Sequence, residues 1–313
     1  MKRVVVAGGA GFIGSHLVDS LLKLGHAVTV IDNLHSGSLS NLGAVLDHPS
    51  LRIVKGDICE KKTFDQIDAD VTTFFNLASP ASPFLYQRWP LETLHAGSTG
   101  VWNIIDFSEL TGCRVVQAST SEVYGDPLIH PQIESYFGNV NPVGPRSCYD
   151  ESKRFAEAAL VAACQSKGLS VGIARIFNTY GPRLSPADGR VVSNFVRQAL
   201  SGEPLTVFGD GKQTRSFCYV DDLVRGLISL EGSRELGPFN LGNPTETEVI
   251  ELAALVKSLT GSGSVIELMP LPEDDPRVRC PDIRLAQERL GWSPTVALEE
   301  GLVQTISWFR SNT

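Results

Sequence analysis

Gly8-Gly9-Ala10-Gly11-Phe12-Ile13-Gly14 stands between the apolar run Arg3 to Ala7 and the stretch Gly14 to Leu24. The run before it is short and rich in β-branched residues, and reads as a buried strand. The stretch after it carries Leu17, Val18, Leu21, Leu22 and Leu24 on one side and reads as a helix. A strand that turns into a helix through glycines spaced three apart suits one purpose. Of Gly8, Gly11 and Gly14, one permits the tight turn, one lets backbone approach a pyrophosphate, and one lets helix pack on strand. The helix N-terminus, with Phe12 and Ile13 in its first turn, then faces the phosphates with partial positive charge.

Asp32 ends a second apolar strand, Ala27 to Ile31, 18 residues after Gly14. A carboxylate there suits two ribose hydroxyls and repels a 2′-phosphate, and Asn33 to Ser36 supply no arginine to neutralise one. NAD is therefore expected rather than NADP, with Asn33 beside Asp32 among the residues that hold it. Leu51 to Lys55, Val71 to Leu77 and Arg114 to Ala118 read as further strands, with a helix from Gly97 to Glu109. Asp57 and Ile58, after the third strand, are candidates for the adenine; Leu77, Ala78 and Ser79, after the fourth, for the nicotinamide half.

Farther on, Ser152 to Ser166, Val191 to Ser201 and Thr247 to Thr260 read as helices, and Ser170 to Arg175 and Gly237 to Leu241 as strands. Phe217 to Glu231 reads as a strand turning into a helix at Asp221-Asp222, and Pro270 to Pro281 as an extended segment. Strands alternating with helices mean right-handed βαβ units. The expected fold is α/β: a Rossmann-type doubly wound parallel sheet with a smaller, interwoven α/β substrate domain. The first takes residues 1–176 plus about 213–243 and the second about 177–212 plus 244–313.

Bulk properties exclude several classes. The 313 residues carry a net charge of -8, which disfavours nucleic acid and anionic membranes as partners. No apolar run approaches the ~20 residues of a spanning helix, and no secretory signal precedes Arg3 to Ala7, so a cytoplasmic protein is expected. Six cysteines lack C-x-x-C spacing, so neither a disulfide framework nor a metal site is expected.

Tyr149 and Lys153 stand at i and i+4, on one face of a helix. A free tyrosine titrates near ~10 and is a poor base at neutral pH. A neighbouring ammonium and the positive nicotinamide ring would favour the phenolate. It would then take a proton from a sugar hydroxyl as hydride leaves the same carbon. Thr120, at a strand end, is placed to hydrogen-bond the same oxygen.

Together with Leu77-Ala78-Ser79-Pro80-Ala81-Ser82-Pro83, Ala118 to Pro127, Asn141 to Glu151, Arg175 to Arg183, Asp188 to Phe195 and Gln213 to Phe217, these residues identify a resemblance over essentially the whole chain. It resembles the extended short-chain dehydrogenase/reductase superfamily and, within it, the UDP-glucuronate decarboxylases, or UDP-xylose synthases. The resemblance implies a homodimer acting on a UDP-sugar, UDP-glucuronate. Bound NAD oxidises C4, the β-keto acid loses carbon dioxide, C5 is protonated and C4 is reduced again.

Relatives differ at the triplet Thr120-Ser121-Glu122. The 4,6-dehydratases carry an aspartic acid where this chain has Ser121, and the 4-epimerases usually a small neutral residue in place of Glu122. A serine cannot act as that acid, and it spares a site for an anionic sugar one negative charge. Two unit charges 4 Å apart cost about 4 kcal/mol at an effective dielectric of 20. Glu122 is the candidate for managing the C5 proton or an ordered water. By the same resemblance Asn178, Arg190 and Arg215 face the diphosphate. Arg279 lies near the sugar carboxylate or phosphate, spacing leaving open whether Arg277 or Arg279 does so. Arginine binds both groups bidentately. Leu94-His95-Ala96-Gly97-Ser98 departs from the Lys-Thr-Asn of many members, exchanging a fixed charge for a histidine. Besides the epimerase and dehydratase alternatives stands a non-catalytic NAD-sensing protein, whose mark would be a damaged Tyr/Lys pair.

Overall fold

The computed structural model describes residues 1–270 and 278–312. Seven strands form the main sheet: β1 (Arg3–Ala7), β2 (Ala27–Asp32), β3 (Leu51–Lys55), β4 (Thr73–Asn76), β5 (Arg114–Thr120), β6 (Val171–Ile176) and β7 (Phe239–Leu241). Their order is β7-β6-β5-β4-β1-β2-β3, and every neighbouring pair is parallel. Parallel strands are covered on both faces, so they read as continuous apolar runs and not as alternation. β4 and β5 are accordingly buried at every position.

The nine longer or site-forming helices are α1 (Phe12–Lys23), α2 (Pro83–Arg88), α3 (Pro90–Gly97), α4 (Thr99–Thr111), α5 (Ser147–Lys167), α6 (Val191–Ser201), α7 (Val220–Ser233), α8 (Val249–Thr260) and α9 (Leu298–Asn312). On one face Leu17, Val18 and Leu21 of α1 share a core with Leu223 and Leu227 of α7. That core continues into Phe195 of α6, Leu252 of α8 and Phe309 of α9. On the other face Val101, Ile104 and Ile105 of α4 pack with Ala156 and Leu160 of α5. The connection after β1 thus covers one face and the connection after β4 the other. The crevice between the carboxyl ends of β1 and β4 is the switch point at which open α/β sheets hold ligands.

Outside the main sheet are three two-stranded pairs. Leu205–Phe208 pairs with Ile266–Met269, Thr214–Ser216 with Glu246–Glu248, and Thr179–Tyr180 with Cys218–Tyr219. No described helix is long and apolar enough to cross a membrane.

Two readings shift. The helix carrying Tyr149 begins at Ser147, five residues before the expected Ser152, so the tyrosine lies in its first turn. Before Gly97, where no element was assigned from sequence, α2 and α3 form, each with proline in its first turn, where the ring's fixed φ fits and no helical hydrogen bond is lost. Trp89 between them is extended away from helical geometry, as a residue before proline prefers. Most of the expected extended segment Pro270 to Pro281 lies outside the described residues.

Asp222 joins the two halves of the large core. It is 0% exposed, and its carboxylate accepts from Thr295 N and Val296 N, both at 2.9 Å, while Trp292 Nε1 donates to its carbonyl at 2.8 Å. Asp222→Ala leaves two part-buried amides without acceptors and is expected to cost about 1–3 kcal/mol. The check is the urea midpoint, which should fall.

Candidate active site

Gly8 adopts φ +77, and a Cβ on it would meet Leu77 C and O at 2.8 Å. A Cβ on Gly14 would overlap Gly8 O. The loops after β1 and β4 therefore press directly on each other, closer than any side chain allows. Gly11 is the N-cap of α1 and no side chain caps it, which leaves the first-turn amides of Phe12, Ile13 and Gly14 facing the crevice for an anionic group.

Asp32 closes the other side of this loop. It is 7% exposed; its Oδ2 accepts from Ala10 N at 2.9 Å and its Oδ1 from Leu34 N at 2.8 Å. Burial raises its pKa, against the two backbone bonds. Each oxygen retains capacity for a further donor, so the group fits a ribose diol. Asn33 Nδ2 donates to Asp57 Oδ2 at 2.9 Å, which brings two expected cofactor residues together. The Ile58 side chain, by contrast, is buried in the core against Gly100, leaving only its backbone for an adenine. Ala78 N donates to Asn76 Oδ1 at 3.3 Å, and Ser79 Oγ to Pro80 O at 3.1 Å. A strand–glycine–helix cradle with a buried carboxylate beside it fits NAD.

The reactive pair lies one strand over. Thr120 ends β5, and Tyr149 and Lys153 project from the first turns of α5. Lys153 Nζ donates to Ala118 O at 2.9 Å and lies 5.6 Å from the centre of the Tyr149 ring. Burial brings this lysine down to about 8. The expectation that the ammonium lowers the Tyr149 pKa needs correction. Burial pushes the phenol up to about 12, and the Glu122 charge adds to that; a Thr120 hydrogen bond and the Arg190 charge oppose it without prevailing. Lys153 is spent on a carbonyl, and its charge lies over the ring.

Glu122, the candidate for the C5 proton or an ordered water, is held by two arginines. Arg146 Nη2 donates to its Oε2 at 2.6 Å, and Arg279 Nη1 donates to its Oε1. Burial alone would raise its pKa, yet the two guanidiniums hold it well below the usual carboxylate range. Locked and ionised, it is a poor proton acceptor. Arg279 is 3% exposed and donates to Ser121 Oγ at 3.3 Å and Gly125 O at 3.1 Å. The triplet and Arg279 are thus one cluster.

Arg190 pairs with Asp188, and its charge reaches the Tyr149 phenol. Arg215 Nη1 donates to Thr214 O at 2.8 Å, and Asn178 follows β6, its carbonyl accepting from Cys218 N at 2.9 Å. Arg277 lies outside the described residues. His95 is exposed, 3.4 Å from Thr99 Oγ1. All six cysteines are free, and no metal-binding cluster occurs among the described residues.

Three residues at the site were missed as functional. Arg146 was visible only as part of a longer motif, one helical turn before Tyr149. Tyr86 of α2 stacks on Tyr149 with ring centres 5.0 Å apart and planes 7° from parallel, and its buried hydroxyl has no hydrogen-bond partner. Asp150 is buried with Oδ1 unpartnered; burial, and then the Glu122 charge, push it up to about 7. No sequence pattern marks Tyr86 or Asp150, because each is defined by what packs on it.

A model of the NAD dependent epimerase/dehydratase family matches residues 4–242. The UDP-glucuronic acid decarboxylase 1 of Xenopus tropicalis is 49% identical over 309 residues, covering 99% of this chain and 72% of that protein. UDP-glucose 4-epimerase from Thermotoga maritima, solved with UDP-glucose, is 32% identical with a TM-score of 0.90, covering 99% of each chain. A dTDP-glucose 4,6-dehydratase from Streptomyces venezuelae, solved with NAD bound, is 29% identical with a TM-score of 0.90, covering 99% of this chain and 97% of that one.

The raised Asp150 pKa has a signed consequence. A carboxyl whose folded pKa lies above its unfolded ~3.9 favours folding while protonated and loses that contribution as pH rises through about 7. Asp150→Asn should therefore gain thermal midpoint relative to the parent between pH 5 and pH 8. Differential scanning calorimetry at the two pH values checks this.

Proposed function

The chain belongs to the NAD-dependent epimerase/dehydratase family and, within it, to the UDP-glucuronic acid decarboxylases; on that footing we propose that it converts UDP-glucuronate to UDP-xylose and carbon dioxide. The observation that carries the reading is the half-buried carboxylate of Glu122 held between Arg146 and Arg279, in the same site as an intact Tyr149/Lys153 pair. An enzyme acting on a neutral hexose has no use for two guanidiniums facing one carboxylate at the reacting end.

NAD, held by Gly8, Gly11, Gly14 and Asp32, supplies when bound the oxidant for the C4 hydroxyl, returns the same hydride later, and carries the ring charge that favours a phenolate. Tyr149 takes the C4 proton, with Thr120 on the same oxygen. Lys153 fixes the geometry of the pair from Ala118 O. Arg146 and Arg279 receive the sugar carboxylate, sharing their donors between it and Glu122, and Ser121 adds no competing charge. Once C4 is a ketone the C6 carboxylate is β to it, and carbon dioxide leaves. Glu122 keeps the guanidiniums in place as the substrate's own negative charge departs, and the proton at C5 comes from solvent through a water held at this cluster, since a guanidinium does not give up its own. Tyr149 returns its proton to the C4 oxygen at the end.

Residues 1–176 with about 213–243 form the dinucleotide domain in this reading, and the rest the nucleotide-sugar domain. The pairing of β7 with β6 supports assigning the returning segment to the first. Six free thiols support a reducing, cytoplasmic setting. A homodimer is supported by Trp102 on α4 and Phe155 on α5, 49% and 39% exposed and packed edge to face at 6.2 Å.

Incubated with UDP-glucuronate, the protein is expected to release carbon dioxide and a UDP-pentose, read by mass and NMR; isomerisation without mass change would mean epimerase, and no turnover would favour the sensor. Tyr149→Phe should lose at least about 100-fold in kcat while titrating with NAD as the parent does. For the dimer, Trp102→Glu combined with Phe155→Asp should halve the mass measured by light scattering.

A further inference from the structure

We propose that His35 and Trp89 form a bridge over the glycine loop that retains the bound dinucleotide between turnovers. The inference rests on the placement of the cofactor on that loop.

β1 lies between β4 and β2 in the sheet, so the segments leaving β2 and β4 flank the glycine loop on opposite sides. Each wall touches the loop. Ser38 N and Asn41 Nδ2 both donate to Ala10 O, at 3.0 and 2.9 Å, and Leu77 and Ala78 abut Gly8. Beyond the loop the two walls meet each other. The ring centres of His35 and Trp89 are 4.0 Å apart with planes tilted by 52°, and the Arg88 guanidinium lies 5.2 Å from the centre of the Trp89 ring. Two segments that flank β1 are thereby tied to each other at the edge of the sheet that carries the loop.

Both sides of the bridge are held by backbone. Trp89 N donates to Leu85 O at 3.0 Å, and the Trp89 carbonyl accepts from Thr93 Oγ1 at 2.7 Å, which fixes the residue between α2 and α3. His35 follows Leu34, which adopts φ +61, a conformation that a non-glycine residue keeps only when its surroundings impose it. Here Asp32 Oδ1 holds Leu34 N, and Asn33 Oδ1 holds His35 N at 3.0 Å. The strained turn that aims His35 is thus built on Asp32, the residue assigned to the ribose. An enzyme that oxidises and then reduces the same sugar without exchanging cofactor needs slow release, and an aromatic contact across the mouth of the site provides a barrier to it.

The test uses full-length protein loaded with NAD and freed of excess by gel filtration, with release followed by chromatography of the nucleotide. Trp89→Ala and His35→Ala are each expected to release NAD about fivefold faster than the parent. The double variant should be no faster than either, since the two rings act as one contact. Trp89→Phe, which keeps a ring, should stay within about twofold of the parent, and saturating NAD should restore parental kcat in all variants. Unchanged release from Trp89→Ala, or effects that multiply in the double variant, would overturn the bridge. A parent that takes up no NAD would overturn the dinucleotide site itself, and that result is read without any variant.

Discussion

The interaction on which the site depends is a carboxylate taken out of water between two guanidiniums. Glu122 sits immediately after β5, Arg146 just before α5, and Arg279 is 157 positions away from Glu122 in the chain. None could be buried alone, since an unpaired charge in such a place costs several kcal/mol. Burying all three together requires the end of β5, the start of α5 and the late segment to arrive at one point. Buried ion pairs are poor sources of net stability, because desolvation cancels most of the attraction. Their contribution here is arrangement: two guanidiniums fixed in advance on the carboxylate two residues after Thr120.

Sheet order places that arrangement next to a cofactor. Reversal of the connections at β1 and β4 opens the crevice, and the absence of side chains at Gly8 and Gly14 lets the loops after these strands close on each other. β5, next to β4, then presents Thr120, Ser121 and Glu122 at the same carboxyl edge. The Thr120-Ser121-Glu122 triplet and the glycine loop share one edge because every strand of the sheet runs in the same direction. Function at strand ends is a consequence of parallel topology before it is a matter of individual residues.

That division explains what the sequence made legible. The glycine loop, Asp32, the Tyr149/Lys153 spacing and the Thr120-Ser121-Glu122 triplet are local patterns, each meaningful within one strand or one helical turn, and they appear where periodicity places them. Arg279 became legible through resemblance alone, since no local pattern links it to Glu122. Tyr86 was unreadable because its significance is a ring stacked on Tyr149 from a different helix. The sign of the Tyr149 shift was misjudged for a related reason. Sequence gives the neighbours along a helix, but not the degree of burial, and burial is the largest influence on the Tyr149 phenol. The His35–Trp89 contact joins the segments after β2 and β4 and has no signature in either.

Charge balance connects the cluster to the substrate. The chain as a whole is negative, with a net charge of -8, which opposes the approach of a nucleotide sugar. At the reacting end, Arg146 and Arg279 face Glu122, and Arg190 is paired with Asp188. Two guanidiniums against one carboxylate leave a single positive charge, provided that Asp150 is protonated; once Asp150 ionises, the cluster is neutral. Its neighbours are the same Glu122, Arg146 and Arg279, and burial holds it close to that boundary near pH 7. A substrate carboxylate entering the cluster completes the charge balance only in the first state and adds a surplus negative charge in the second. On the proposed reading, the protonation of Asp150 sets the charge with which the arginines meet the substrate's carboxylate.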